Sequence, residues 1–96
     1  MKYELTPNDG RKSFYGKAIV TEYGKNLIVL KSYDTEVCRI ENGKFVRMWD
    51  GYSATTMKHI NSFINQYGID GGGKKWWINL PVDNQNIIVS IIKKTA

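Results

Sequence analysis

Cys38 and His59 are the only cysteine and histidine in the 96-residue chain, so any nucleophilic or metal chemistry has to be built around them. A nucleophilic site would set Cys38, or a hydroxyl of Ser53, Thr55 or Thr56, against His59 as general base. Thr55 and His59 stand four residues apart, which brings them together on one side of a helix. That spacing is common on helices, and threonines at a helix start ordinarily satisfy free backbone groups. Cys38 alternates with Ile40 in a strand-like run and reads as a core residue. Metal binding needs at least three convergent donors, and Cys38, His59 and Asp50 are weak candidates with no spacing to support them. Catalysis is therefore not expected, and neither is a metal or cofactor.

The remaining chemistry is that of binding. Fourteen Lys and Arg against nine Asp and Glu give a net charge of +5, which favours acidic surfaces and polyanions. The cations are spread along the chain and form no block of the kind that makes a nucleic-acid arm. Gly71-Gly72-Gly73-Lys74-Lys75 has the glycines and lysines of a phosphate cradle but lacks the Gly-x-x-x-x-Gly-Lys-Ser/Thr pattern, so a linker into a short helix is the simpler reading. Tyrosines and tryptophans interleave with these cations in a manner suited to stacking or anchoring. Adjacent Trp76 and Trp77 cannot point the same way in a helical turn, so one is expected inside and the other at the surface beside Lys74 and Lys75. Arg47, Lys58, His59, Lys74, Lys75 and Trp76 are the expected partner-binding residues.

Several elements must position them. Lys2 to Leu5 reads as a short edge strand, and Thr6 to Gly10 as a loop. Ser13 to Tyr23 has strand preferences, and Tyr23 to Asn26 turns into Leu27 to Leu30, giving a first hairpin with apolar groups on both faces. Asn42-Gly43 supplies the positive φ values of a type I′ turn between Thr35–Glu41 and Lys44–Trp49. Pairing outward sets Glu41 against Lys44, Ile40 against Phe45, Arg39 against Val46, Cys38 against Arg47, Val37 against Met48 and Glu36 against Trp49. Either the Ile40/Phe45/Cys38 face or the Val37/Val46/Met48 face can then be the core face. Ser53 caps a helix over 54–67, whose apolar stripe is Met57, Ile60, Phe63, Ile64 and Tyr67 and whose polar side is Lys58, Asn61, Ser62 and Asn65; Gly68 closes it. Lys74 to Leu80 reads as a short helical turn ended by Pro81, and Asn86 to Ile92 as a last strand.

At 11.0 kDa and 42 % hydrophobic residues, residues 1–96 make one small domain. The longest apolar run, Leu27 to Leu30, is far short of a membrane span, and the N-terminus has no apolar signal region. A single cysteine excludes an internal disulfide, so the cytoplasm is the expected compartment. The expected architecture is α+β: an antiparallel sheet of four or five strands, one main helix packed on a face, and a short C-terminal helical turn covering an edge.

Ser32-Tyr33-Asp34-Thr35-Glu36-Val37, the run Trp49-Asp50-Gly51-Tyr52-Ser53-Ala54-Thr55-Thr56-Met57-Lys58-His59-Ile60, and Trp77-Ile78-Asn79-Leu80-Pro81-Val82 together resemble a family of short uncharacterised proteins of phages and mobile elements of Gram-positive bacteria. The resemblance spans roughly residues 13 to 82 and implies a genomic setting rather than an activity. Small proteins of that setting often antagonise host defences, and some anti-CRISPR proteins that block Cas9 are of this size. The resemblance thus implies a non-enzymatic inhibitor acting in the cytoplasm of the host bacterium on a defence nucleoprotein such as Cas9 or its guide complex. A basic nucleic-acid-binding accessory protein is the alternative.

Overall fold

The structure, a computed structural model, describes residues 1–8 and 13–84. Five strands come first in the chain: β1 (Lys2–Glu4), β2 (Ala18–Glu22), β3 (Leu27–Ser32), β4 (Thr35–Glu41) and β5 (Lys44–Arg47). Helices α1 (Ala54–Gln66) and α2 (Lys74–Ile78) follow. The sheet order is β1-β2-β3-β4-β5 and every neighbouring pair is antiparallel, so each strand lies beside its sequence neighbour. With α1 packed on one face, this is an α+β fold. The expected strand at Asn86 to Ile92 lies outside the described residues.

The second hairpin shows how local chemistry sets register. Asn42 and Gly43 take φ of 53° and 79°, the left-handed values a type I′ turn requires. Four of the expected pairs follow, from Glu41↔Lys44 to Cys38↔Arg47. Beyond them the expectation fails, because β5 ends at Arg47 and the Val37↔Met48 and Glu36↔Trp49 pairs do not form. The carbonyl of Val37 instead accepts from the backbone N–H groups of both Met48 (2.9 Å) and Trp49 (3.1 Å). The β3–β4 ladder is irregular at the same place, passing from Leu30↔Cys38 to Lys31↔Glu36 and skipping Val37. A bulge of this kind lets the chain leave the sheet toward the helix.

β2 is also shorter than its composition suggests, beginning at Ala18 rather than Ser13. Tyr15 and Gly16 take φ of 54° and 74°, and the Lys17 N–H donates to the Phe14 carbonyl. Glu4 on β1 accepts from the Gly16 N–H and the Ser13 hydroxyl, which holds this segment as a turn despite its strand-favouring side chains.

Ser32 on β3 contacts α1 through its hydroxyl, which identifies the face the helix covers. Alternation and register then put Ala18, Val20, Leu30, Cys38, Ile40, Phe45 and Arg47 on that side. The Cys38/Ile40/Phe45 face is therefore the core face. Against it α1 buries Met57, Ile60, Phe63 and Ile64, at helical spacing. Each such side chain taken fully out of water contributes about 1.5–3 kcal/mol. Ser53 caps α1 by accepting from the Thr56 N–H, and Gly68 follows the helix at φ 71°. In α2 Trp77 is fully buried, while Trp76 is half-buried and rests on Phe45 of β5.

Candidate functional site

Three polar clusters are built around the two helices, and their burial decides what each can do. In the first, His59 Nδ1 lies 2.8 Å from Ser32 Oγ, which is 3.0 Å from Thr56 Oγ1. The Phe14 ring meets the imidazole edge-on at 4.5 Å, and Tyr33 flanks it at 5.8 Å. A serine hydroxyl bonded to an imidazole has the composition of a nucleophile and its base. Here His59 is 1 % exposed and Ser32 2 %, so no substrate reaches them and the cluster fastens helix to strand. Of the candidate hydroxyls, Thr55 is exposed on the helix, while Thr56 turns inward and joins the cluster. Ser32 was not singled out by spacing, since it is 27 residues from His59 and only folding joins them.

Arg47 centres the second cluster. Its Nε donates to the Trp49 carbonyl (2.8 Å), Nη1 to the carbonyls of Ile78 and Leu80 (3.2 Å each), and Nη2 to that of Gly51 (3.4 Å). The guanidinium also stacks over the Trp77 ring at 4.7 Å, and the Trp77 indole N–H donates to the Gly51 carbonyl at 2.8 Å. Gly51 is required here by close approach, because a Cβ on it would fall 2.4 Å from the Trp49 ring. Arg47 thus joins β5, the segment before α1 and the end of α2, with its planar fork turned inward rather than toward solvent.

Cys38 is fully buried, and burial pushes its thiol well above its ordinary pKa. A thiol so placed stays protonated and packs as an apolar group. Among the described residues no group of three or more His, Cys, Asp or Glu side chains could hold a metal ion. Cys38, His59 and Asp50, the weak candidates, are not brought together as such a group.

The third cluster is at the surface. Lys58, Lys74 and Lys75 are exposed, and Lys74 Nζ stands 5.1 Å over the Tyr52 ring. Asn61, one helical turn after Lys58, accepts through Oδ1 from the Gly73 N–H at 3.3 Å, which brings the start of α2 beside the outer side of α1. Of the six expected binding residues, the fold leaves Lys58 and Lys74 exposed, and Asn61, one turn after the first, meets Gly73, next to the second. Lys75 and half-buried Trp76 adjoin them, whereas Arg47 and His59 lie inside and act on structure. Ser62, expected on the polar side of α1, is buried and donates to Asn8 Oδ1 at 2.8 Å. Tyr52, Asn61 and Asn65 complete this surface; their shared side was legible for the two asparagines from i, i+4 spacing, but not for Tyr52.

The stretch of chain that forms the helical layer is also poor in acids. Between Gly51 and Val82 the only carboxylate is Asp70, and Lys58 is the only charged residue of α1. No described helix is long and apolar enough to cross a membrane. Neither a curated protein nor a solved structure matches the chain. A family model described as a family of unknown function (DUF8033) matches residues 1–79, which covers the sheet, α1 and α2, and the chain belongs to that family.

Proposed function

We propose that the protein is a non-enzymatic binding protein that occupies an acidic surface of a macromolecular partner through the outer side of its helical layer. The observation that carries this reading is the exposure of Lys58 and Lys74, with Tyr52 beneath the Lys74 ammonium, in a stretch of chain from Gly51 to Val82 where Asp70 is the only acid. Cations on an acid-poor surface steer an acidic partner, and the half-exposed Tyr52 and Trp76 rings supply the apolar anchor that charge alone does not. The sealed Ser32–His59 pair and the buried Cys38 thiol support a role without chemistry. The resemblance to short proteins of phages and mobile elements makes a host defence nucleoprotein, such as Cas9 with its guide in the bacterial cytoplasm, the first partner to test.

The experiment is capture from bacterial lysate with and without nuclease, including a strain that expresses Cas9 and its guide, using the wild type and a Lys58→Glu/Lys74→Glu variant. Retention of a defence protein that survives nuclease and disappears with the charge reversal supports the reading. Retention unaffected by charge reversal overturns the proposed surface. Loss of all retained material after nuclease favours the nucleic-acid accessory protein, whose binding would also weaken steeply with salt.

A further inference from the structure

Residues that alternate with those facing α1 lie on the outer side of the sheet. Register places Ile19 of β2, Leu27 and Val29 of β3, Arg39 of β4 and Val46 of β5 there, through the pairs Ile19↔Lys31, Leu27↔Glu41, Val29↔Arg39 and Arg39↔Val46. On a sheet with one wet face these side chains would meet water. Leu27 is instead 0 % exposed, and Val29 and Arg39 are each 2 % exposed. Neither Leu27 nor Val29 belongs to the core cluster, which α1, Leu5, Phe14 and Trp77 complete on the inner side. What buries the inner face therefore does not bury these two side chains.

We infer that residues 87–92 of the chain dock on the outer face of the sheet and close it. Their sequence, Ile-Ile-Val-Ser-Ile-Ile, offers five aliphatic side chains in six positions. Residues 9–12, Asp-Gly-Arg-Lys, offer three charges and no large apolar group, and they join Asn8, bonded to Ser62 of α1, to Ser13, bonded to Glu4. The chain is also delivered to this face. Val82 bridges to Arg47, and the Asp83 N–H donates to the Arg47 carbonyl at 2.7 Å. The Arg39 guanidinium then donates to the carbonyl (3.2 Å) and the carboxylate (3.1 Å) of Asp83. A buried guanidinium needs such partners, and Glu41 supplies another at 2.7 Å. Val29 and Arg39 are register partners, about 5 Å apart on neighbouring strands, while Ile87 follows Asp83 by four residues, a reach of about 13 Å. Leu27 and Val29 are buried within a single copy of the chain, so the cover is its own segment and not a second copy. With both faces of the sheet closed, a partner is left the helical side and the strand edges.

The test is methyl NOE spectroscopy on the full chain with labelled Ile, Leu and Val methyl groups. Expected are contacts from the Leu27 and Val29 methyls to those of Ile87, Ile88, Val89, Ile91 or Ile92. In an equal mixture of labelled and unlabelled protein, isotope-filtered spectra should show no such contacts between copies. A Val89→Asp/Ile91→Asp variant should lose these contacts and gain fluorescence from a dye that binds exposed apolar surface, because an ionised carboxylate does not enter an apolar layer. Contacts and dye binding unchanged in that variant overturn the inference. So does a wild type whose Leu27 and Val29 methyls contact no methyl of residues 87–92. Contacts found only between copies overturn it as well and assign the face to a dimer. The wild-type spectra decide the matter even where the double variant fails to fold.

Discussion

Ser32 at the end of β3 and His59 in the middle of α1 meet at 2.8 Å inside the protein, joining the central strand to the helix by a bond between two polar side chains. Thr56 shares the serine hydroxyl, so three polar groups satisfy one another where apolar packing surrounds them. Ser32 makes both contacts, so removing its hydroxyl breaks both at once. Ser32→Ala should therefore lower stability by about 1–3 kcal/mol. A Ser32→Ala/His59→Phe cycle, measured by urea unfolding, should show a coupling of about 0.5–3 kcal/mol, and strict additivity would remove the network from the account.

Arg47 holds four backbone carbonyls from two separate segments. Arg47→Met should cost about 3 kcal/mol or more by stranding those carbonyls, and Arg47→Lys should not restore it, since an ammonium lacks the fork. Trp77 lies under the guanidinium, so tryptophan fluorescence should change before the main unfolding transition in both variants. A lysine variant that melts with the wild type would assign the site to charge alone.

Tyr15 and Tyr33 both occupy the left-handed region, at φ 54° and 55°, where a bulky side chain is disfavoured. Their surroundings differ. Tyr15 is 81 % exposed, whereas Tyr33 flanks the His59 ring and lies under Lys17 Nζ at 5.7 Å. Tyr15→Gly should leave stability unchanged or raise it by up to about 1 kcal/mol, because glycine relieves the backbone without losing packing. Tyr33→Gly should destabilise. Equal effects in thermal melts would mean that the ring contacts of Tyr33 contribute nothing.

Two groups set the alkaline limit. Burial raises the Cys38 thiol, and burial together with the bonds to Tyr3 and Glu22 raises the Tyr67 phenol well above its ordinary value. A group whose folded pKa exceeds its unfolded one contributes stability that is complete below the unfolded value and is lost as pH climbs beyond it. Stability should consequently hold up to roughly pH 9 and decline above it, as the unfolded thiol and then the unfolded phenol ionise. Cys38→Ala should remove the first part of that decline and Tyr67→Phe the later part. In the native state Cys38 should also resist alkylation at pH 8 until denaturant is added.

Much of the secondary structure follows from signals that act within a few residues. Asn42-Gly43 dictates its turn and the four pairs next to it, Ser53 and Gly68 bracket α1, and the Met57–Ile64 stripe states which side of the helix is buried. The α+β class follows from the order of these elements. Interactions between distant segments decided the rest. The Glu4 carboxylate makes a turn of residues whose own preference is extended, and the bulge at Val37 ends β5 before Trp49. Which face of the second hairpin is the core depended on where α1 docks, because both faces carry apolar side chains. The same holds for the binding residues: Arg47 and His59 looked available as types, yet their neighbours in space turn them inward. Local spacing can specify a turn, a cap or a stripe because those interactions span only a few residues. Burial and partnership depend on segments far apart in the chain, and only the packed tertiary structure brings Ser32 to His59 or Tyr52 to Lys74.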